Sequence, residues 1–193
     1  MSLEHAILGF LNYQPFSGYD LKKIFDTSVR HFWPADQSQI YRTLTRLTER
    51  GWVAMEVVEQ SERPDRKVYS ITPKGCEELQ RWLGGPPPVE DARSAPLVQV
   101  FFSGQLPDKE ILARFEGMKA NMQEYLGVLY QVPEEIDEYM NMVASPREQF
   151  FWLLTLELGI KVHQMHVEWA DSVIRRLKEH DYTVEIPNPK RLA

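Results

Sequence analysis

The chain has 193 residues, 43% of them hydrophobic, and a formal net charge of −6. That length supports one large domain or two small ones with a proper core, and the apolar content predicts a soluble globular protein. No apolar run approaches the roughly 18 residues that cross a bilayer, and the N-terminus lacks a signal-peptide pattern; membrane and secreted classes are therefore not expected. The single Cys76 allows no internal disulfide and fits a reducing cytoplasm. Negative charge argues at first against nucleic acid. Residues 1–83, however, hold 11 basic and 11 acidic side chains, whereas 84–193 hold 11 basic and 17 acidic. Local phosphate contacts decide DNA affinity, so a neutral module with a basic edge remains able to bind.

In chain order, LEHAILGFLN at 3–12 predicts a short apolar helix ended by Gln14-Pro15. Ser17-Gly18-Tyr19-Asp20 has the spacing of a capping box and opens a second helix with Leu21, Ile24, Phe25 and Val29 facing inward. Pro34 stops that region, and Asp36 with Gln39 offers the next N-cap. Ile40, Leu44 and Leu47 then share one face of a third helix, with Gly51 as its terminator. Val53–Glu59 and Arg66–Ile71 read as strands around a charged, turn-rich loop at 61–65. Thr72-Pro73 pairs an N-cap with proline at N1 and starts a helix to about Leu83. Cys76 follows that start and reads as a packed thiol. The order helix, helix, helix, strand, strand, helix is a winged helix-turn-helix over 1–83.

Residues 84–96 contain the run Pro86-Pro87-Pro88 and read as a linker; 97–193 read as a helical domain. Ile111, Phe115, Met118, Met122, Tyr125 and Leu129 are spaced as a coiled-coil-like seam, which Pro133 is expected to interrupt. Ser145-Pro146-Arg147-Glu148 launches a long helix to about His180. Its apolar residues form two stripes, one through Leu154, Leu158 and Val162, the other through Ala170, Ile174 and Leu177. One stripe suffices to dock on its own domain, and the second predicts packing against another chain.

A 100° step per residue puts Arg42 and Arg46 nearly opposite Leu44, with Ser38 and Gln39 flanking them. Arg pairs bidentately with a guanine edge and Gln with an adenine edge; Ser and Thr45 reach phosphates or bases. Tyr41 sits on the shoulder, and Arg63, Arg66 and Lys67 make the wing basic. Lys22 and Lys23 on the second helix are within the same logic as backbone contacts. A helix for the major groove beside a charged β-wing predicts duplex-DNA binding. No Gly-rich phosphate loop, nucleophile elbow or zinc-protease motif appears, so an enzyme is not expected, and no cofactor is called for. His163 and His166 stand at i, i+3, but without the rest of a tetrahedral set they read as ordinary helix histidines. The rival is a winged-helix adaptor that binds protein and shows no specific DNA binding.

The segments AILGFL, SGYDLKKIFD, SQIYRTLTRLTERGWV and RKVYSITPKGCEELQRWL resemble the PadR family of transcriptional regulators, and the helical tail is similar to that of its larger members. The resemblance implies a cytoplasmic homodimeric repressor on a palindromic operator in double-stranded DNA, released by a small hydrophobic or phenolic effector. By position it matches Ser38, Gln39, Tyr41, Arg42 and Arg46 to the recognition helix and Arg66 and Lys67 to the wing. For the effector, the aromatic and Met-rich second half supplies candidates, among them Trp152, Trp169 and Met122; Trp82 is added because indoles at the junction between a reader and a dimerisation arm, Trp82 and Trp152, stack on flat ligands.

Overall fold

The structure, a computed structural model, describes residues 2–59, 65–88, 93–136, 143 and 145–184. Contacts divide the chain into two compact units, Met1–Glu90 with Gln131–Gly159, and Asp91–Tyr130 with Ile160–Ala193. A reading in sequence order, with everything after the linker in one domain, does not anticipate that grouping.

The first unit begins with α1 (Ser2–Leu11), the two-residue strand β1 (Phe16–Ser17) and α2 (Gly18–Ile24), which continues as a π-helical turn over Phe25–Val29. Then come α3 (Gln37–Glu49), β2 (Val53–Val58), β3 (Arg66–Ile71) and α4 (Pro73–Leu83). Each helix starts where a side chain satisfies the free backbone donors of its first turn. Ser17 and Asp20 form one capping box, and Asp36 and Gln39 form another, closed by hydrogen bonds of 2.7 and 2.9 Å. Thr72 accepts from the Gly75 N–H at the head of α4, with proline beside it.

α3 ends in a Schellman motif. The Gly51 N–H donates to Thr48 and the Trp52 N–H to Leu47, at 2.9 and 3.0 Å, with Gly51 at φ +70°, a conformation that costs an L side chain dearly. The sheet is antiparallel in the order β1-β3-β2, with Val53 opposite Ile71 and Val58 opposite Arg66. β1 adds a third strand that the two-strand reading lacks; two residues after a proline carry no alternation to detect. Ile7, Leu8, Leu21, Ile40, Leu44 and Leu47 are fully buried in one core, each contributing roughly 1.5–3 kcal/mol of apolar transfer. Trp152 packs edge-on against Phe10 and Tyr13 of this unit, which is why 131–159 belong to it.

The second unit contains α5 (Ala95–Phe102), a 3₁₀ turn at Ser103–Gln105, and the greater parts of α6 (Asp108–Glu135) and α7 (Pro146–Glu179). α5 begins inside the segment read as linker, capped by Ser94 with Pro96 in its first turn. Ile111 and Phe115 pack with Ala170, Ile174 and Leu177 of the second stripe, and Val173, which continues the first, packs beside them. Further toward the N-terminus of α7 the first stripe is open, Leu158 being 64% exposed. Pro133 does not interrupt α6, which runs on to Glu135. So close to a helix end, proline forfeits one backbone bond, while the next remains, Ile136 N–H to Val132 at 3.0 Å.

Replacing Gly51 with alanine meets no neighbour within 4 Å but must hold the left-handed conformation. Gly51→Ala is expected to lose about 1–2 kcal/mol of stability, read as a lowered midpoint in thermal or urea unfolding; an unchanged midpoint would contradict the cap assigned here.

Candidate nucleic-acid interface and ligand cavity

The core residues of α3 point one way and leave the opposite face open. Ser38, Gln39, Tyr41, Arg42, Thr45 and Arg46 are all exposed. Their freedom differs. Gln39 commits its Oε1 to the Asp36 N–H at 2.9 Å, so only its amide donors remain for a base, short of the bidentate adenine pair the sequence reading allowed it. The Thr45 hydroxyl donates to the Tyr41 carbonyl at 3.1 Å and keeps its acceptor capacity. Tyr41 lies against the head of α2, where a Cβ on Gly18 would come within 2.5 Å of its ring. Glycine at 18 is what admits that ring.

The arginines are held from beneath. Glu4 of α1, 4% exposed, accepts from Arg50 Nη1 at 3.0 Å and lies 4.0 Å from Arg46 Nε. Arg46 also donates to the Thr43 hydroxyl at 3.1 Å, and Arg50 spreads over the Trp52 ring at 5.0 Å. Burying one carboxylate among guanidinium groups fixes their stems, because an unpartnered buried charge is costly. Arg42 makes no ion pair among the described residues. On the wing, Arg66 pairs with Asp20. Burial pushes the Asp20 carboxyl up, but hydrogen bonds from Ser17 and Arg66 outweigh it and hold it below its usual range. Arg66 thus fastens the wing to α2, while Lys67 is exposed. Lys22 pairs with Asp26. Arg63 lies outside the described residues.

A cavity of about 600 Å³ opens within the same unit, between α1, the segment after the π turn, α4 and the first turns of α7. It brings together Trp82 and Trp152, two of the four effector candidates, with Phe10, Tyr13, Phe32 and Glu148 among its other walls. Met122 is elsewhere, beside His163 in a cleft of the second unit, and Trp169 packs on Phe115, ring centroids 5.5 Å apart. Four effector candidates are therefore split between two places. His5 stacks on Trp82 at 4.5 Å and 9° and meets Glu78 at 3.0 Å; Glu78 takes two further bonds from Arg81. Sequence reasoning missed Glu4 and His5, two polar residues 4% exposed in a helix read as apolar, and it missed the cavity's α1 wall. The adjacent aromatic triplet His31-Phe32-Trp33, too dense for a loop, was the available signal.

An uncovered basic face on a capped helix, a neighbouring two-stranded wing and a helical arm define a winged helix-turn-helix regulator. Residues 7–81 match the model of the Transcriptional regulator PadR-like family, and residues 92–178 match Virulence activator alpha C-term. A probable transcriptional regulator of Mycobacterium tuberculosis is 31% identical, with 93% of this chain aligned to 99% of that protein. Bacillus subtilis PadR, a negative transcriptional regulator, is 27% identical over 89% of this chain and 95% of its own. Its structure with operator DNA superposes with a TM-score of 0.79 and its structure with p-coumaric acid with 0.74, each covering 92% of this chain and 99% of that one at 27% identity. The chain belongs to the PadR-like family of transcriptional regulators, and it is not an enzyme. No helix among the described residues is long and apolar enough to cross a membrane.

The hydrogen bonds from Arg81, and after them that from His5, hold Glu78 well below its ordinary 4.5, at about 2. A carboxylate depressed on folding lends stability above its unfolded value and loses it as pH falls through the folded one. The unfolding midpoint should therefore drop between about pH 4.5 and 2, and Glu78→Gln should flatten that part of the profile. Parallel profiles for the two proteins would refute the coupling.

Proposed function

We propose that the chain is a cytoplasmic homodimeric repressor that reads a palindromic operator with α3 and is released by a small planar aromatic effector. The observation that carries this is the uncovered polar face of α3, with Arg42 and Arg46 standing opposite three fully buried residues of the same helix. A helix anchored on one side and basic on the other fits the major groove. Arg42, which makes no ion pair among the described residues, is assigned to a base edge. Arg46, Ser38, Gln39 and Thr45 are assigned to bases or phosphates nearby, with Tyr41, Arg66 and Lys67 on the backbone; Arg63 is assigned there from its place in the sequence. Division of the chain follows the same assignment: 1–83 read DNA, and 97–193 join two copies.

A second subunit is supported by apolar surface that one chain leaves open. α5 buries none of its residues, Phe101 being 81% exposed, and the open stripe of α7 adds Leu158 and Met165. Faces of this kind are covered by a partner, and a twofold pair of α3 helices suits two half-sites. Operator and p-coumaric acid are what the Bacillus subtilis relative was crystallised with; here the cavity between Trp82 and Trp152 is assigned to an effector of similar size.

The assignment is tested on duplex DNA from upstream of the chain's own gene, titrated at two salt concentrations. Arg42→Ala is expected to cost about 1–3 kcal/mol of specific affinity with the thermal midpoint unchanged; retention of full specific binding would reject the assignment. In a separate measurement, Leu158→Glu is expected to shift sedimentation toward monomer and to weaken operator binding with α3 untouched. An intact dimer in that variant would remove α7 from the interface.

A further inference from the structure

The cavity between Trp82 and Trp152 has a charge character that its aromatic lining does not announce. None of the described residues that line it is lysine or arginine, and its one carboxylate is Glu148, in the first turn of α7. Of the cationic groups nearest in sequence, Arg81 holds Glu78 at 2.6 and 2.8 Å, Arg147 lies over the Phe151 ring at 5.2 Å, and Arg30 lines a different cleft, with Lys22 and Asp26. Any charge on His5 is met by Glu78 at 3.0 Å, and His31 stands edge-on to Phe32. A helix N-terminus would ordinarily welcome an anion, but here the Glu148 and Gln149 N–H groups both donate to the Ser145 carbonyl, at 3.0 and 3.1 Å, and Glu148 itself supplies the negative charge that the dipole favours. Tyr13 completes this end. Burial raises its phenol and the Glu148 charge adds to that, against a hydrogen bond with Trp152, so the hydroxyl keeps its proton.

The remaining walls set the shape. Trp82 is locked parallel to His5 at 9°, while Trp152 meets Phe10 and Tyr13 at 79° and 78°. Indole faces and edges fixed in this way accept a flat ring and stabilise a cation above it. A carboxylate placed in the same slot has to shed water beside Glu148 with no lysine or arginine among the described lining residues to receive it, which is unfavourable. We infer that the cavity takes a planar aromatic ligand bearing an amine or another cationic group near Glu148, and that it discriminates against anionic phenolic acids. This rests on the effector site proposed above and names the chemistry of its ligand.

Three probes of one scaffold separate the possibilities: p-coumarate, its neutral amide, and 4-hydroxycinnamylamine. Each is titrated calorimetrically into the full-length protein and into Glu148→Gln. The amine is expected to bind tightest and p-coumarate weakest, with on the order of tenfold between them for a partly solvated carboxylate, and Glu148→Gln to compress that range. p-Coumarate binding as tightly as the amine, or an unchanged order and range in Glu148→Gln, would overturn the inference while leaving the cavity as the effector site. Absence of heat with all three would overturn both.

Discussion

A buried carboxylate organises the DNA-reading unit. Glu4 sits in the first turn of α1, beneath the polar face of α3, where Arg50 and Arg46 neutralise it. Removing a charge from water is expensive and is repaid only by close, hydrogen-bonded partners, so Glu4 stays buried only while α3 holds Arg50 and Arg46 against it. The apolar side of the same contact, Ile7 and Leu8 against Ile40, Leu44 and Leu47, supplies the bulk of the stabilisation. The ion pairs supply direction. They fix the stems of Arg46 and Arg50 at the exposed side of α3.

The next residue along α1 serves a different neighbour. His5 stacks on Trp82 and bonds Glu78, and both it and Trp82 wall the cavity. Consecutive residues of one short helix thus touch Arg46 and Arg50 of the α3 surface and the ligand-sized space. A ligand alters DNA affinity only by binding two arrangements of the reader unequally. Displacement of Trp82 or His5 bears directly on the helix that holds Glu4, so α1 meets the geometric requirement for coupling with no longer chain of intermediates.

Local signals were legible in the sequence and distant ones were not. Ser17 with Asp20, Asp36 with Gln39, Gly51, and Thr72 with Pro73 each act within a few residues, and the structure places a cap at every one. The exposed set on α3 followed from the same arithmetic, because one buried face determines the other. β1 was invisible because two residues have no period, and its existence depends on Tyr69 and Val68 in β3. The cavity depends on pairing Trp82 with Trp152, 70 positions apart, through α1. Pro133 stands two residues before the end of α6, where proline lacks the breaking weight it has in mid-helix and the sequence alone does not show how near the end lies. Glu4 and His5 were passed over since a polar residue in an apolar helix declares no partner until the fold supplies Arg50 and Glu78.

Charge pairing on the DNA-facing surface also bears on why a module of 11 basic and 11 acidic residues can be selective. Arg46 and Arg50 share Glu4, Arg66 holds Asp20, and Lys22 holds Asp26. Each of these cations must exchange or share an internal carboxylate before it neutralises a phosphate, which lowers the sequence-independent electrostatic attraction that dominates binding to random DNA. Arg42 makes no ion pair among the described residues, and the proposed reading places it at a base edge. On the proposed reading, suppressing phosphate attraction while Arg42 keeps no such pair widens the gap between specific and non-specific binding, and that gap, more than the absolute affinity, determines whether a regulator finds its site among the competing sequences of a genome.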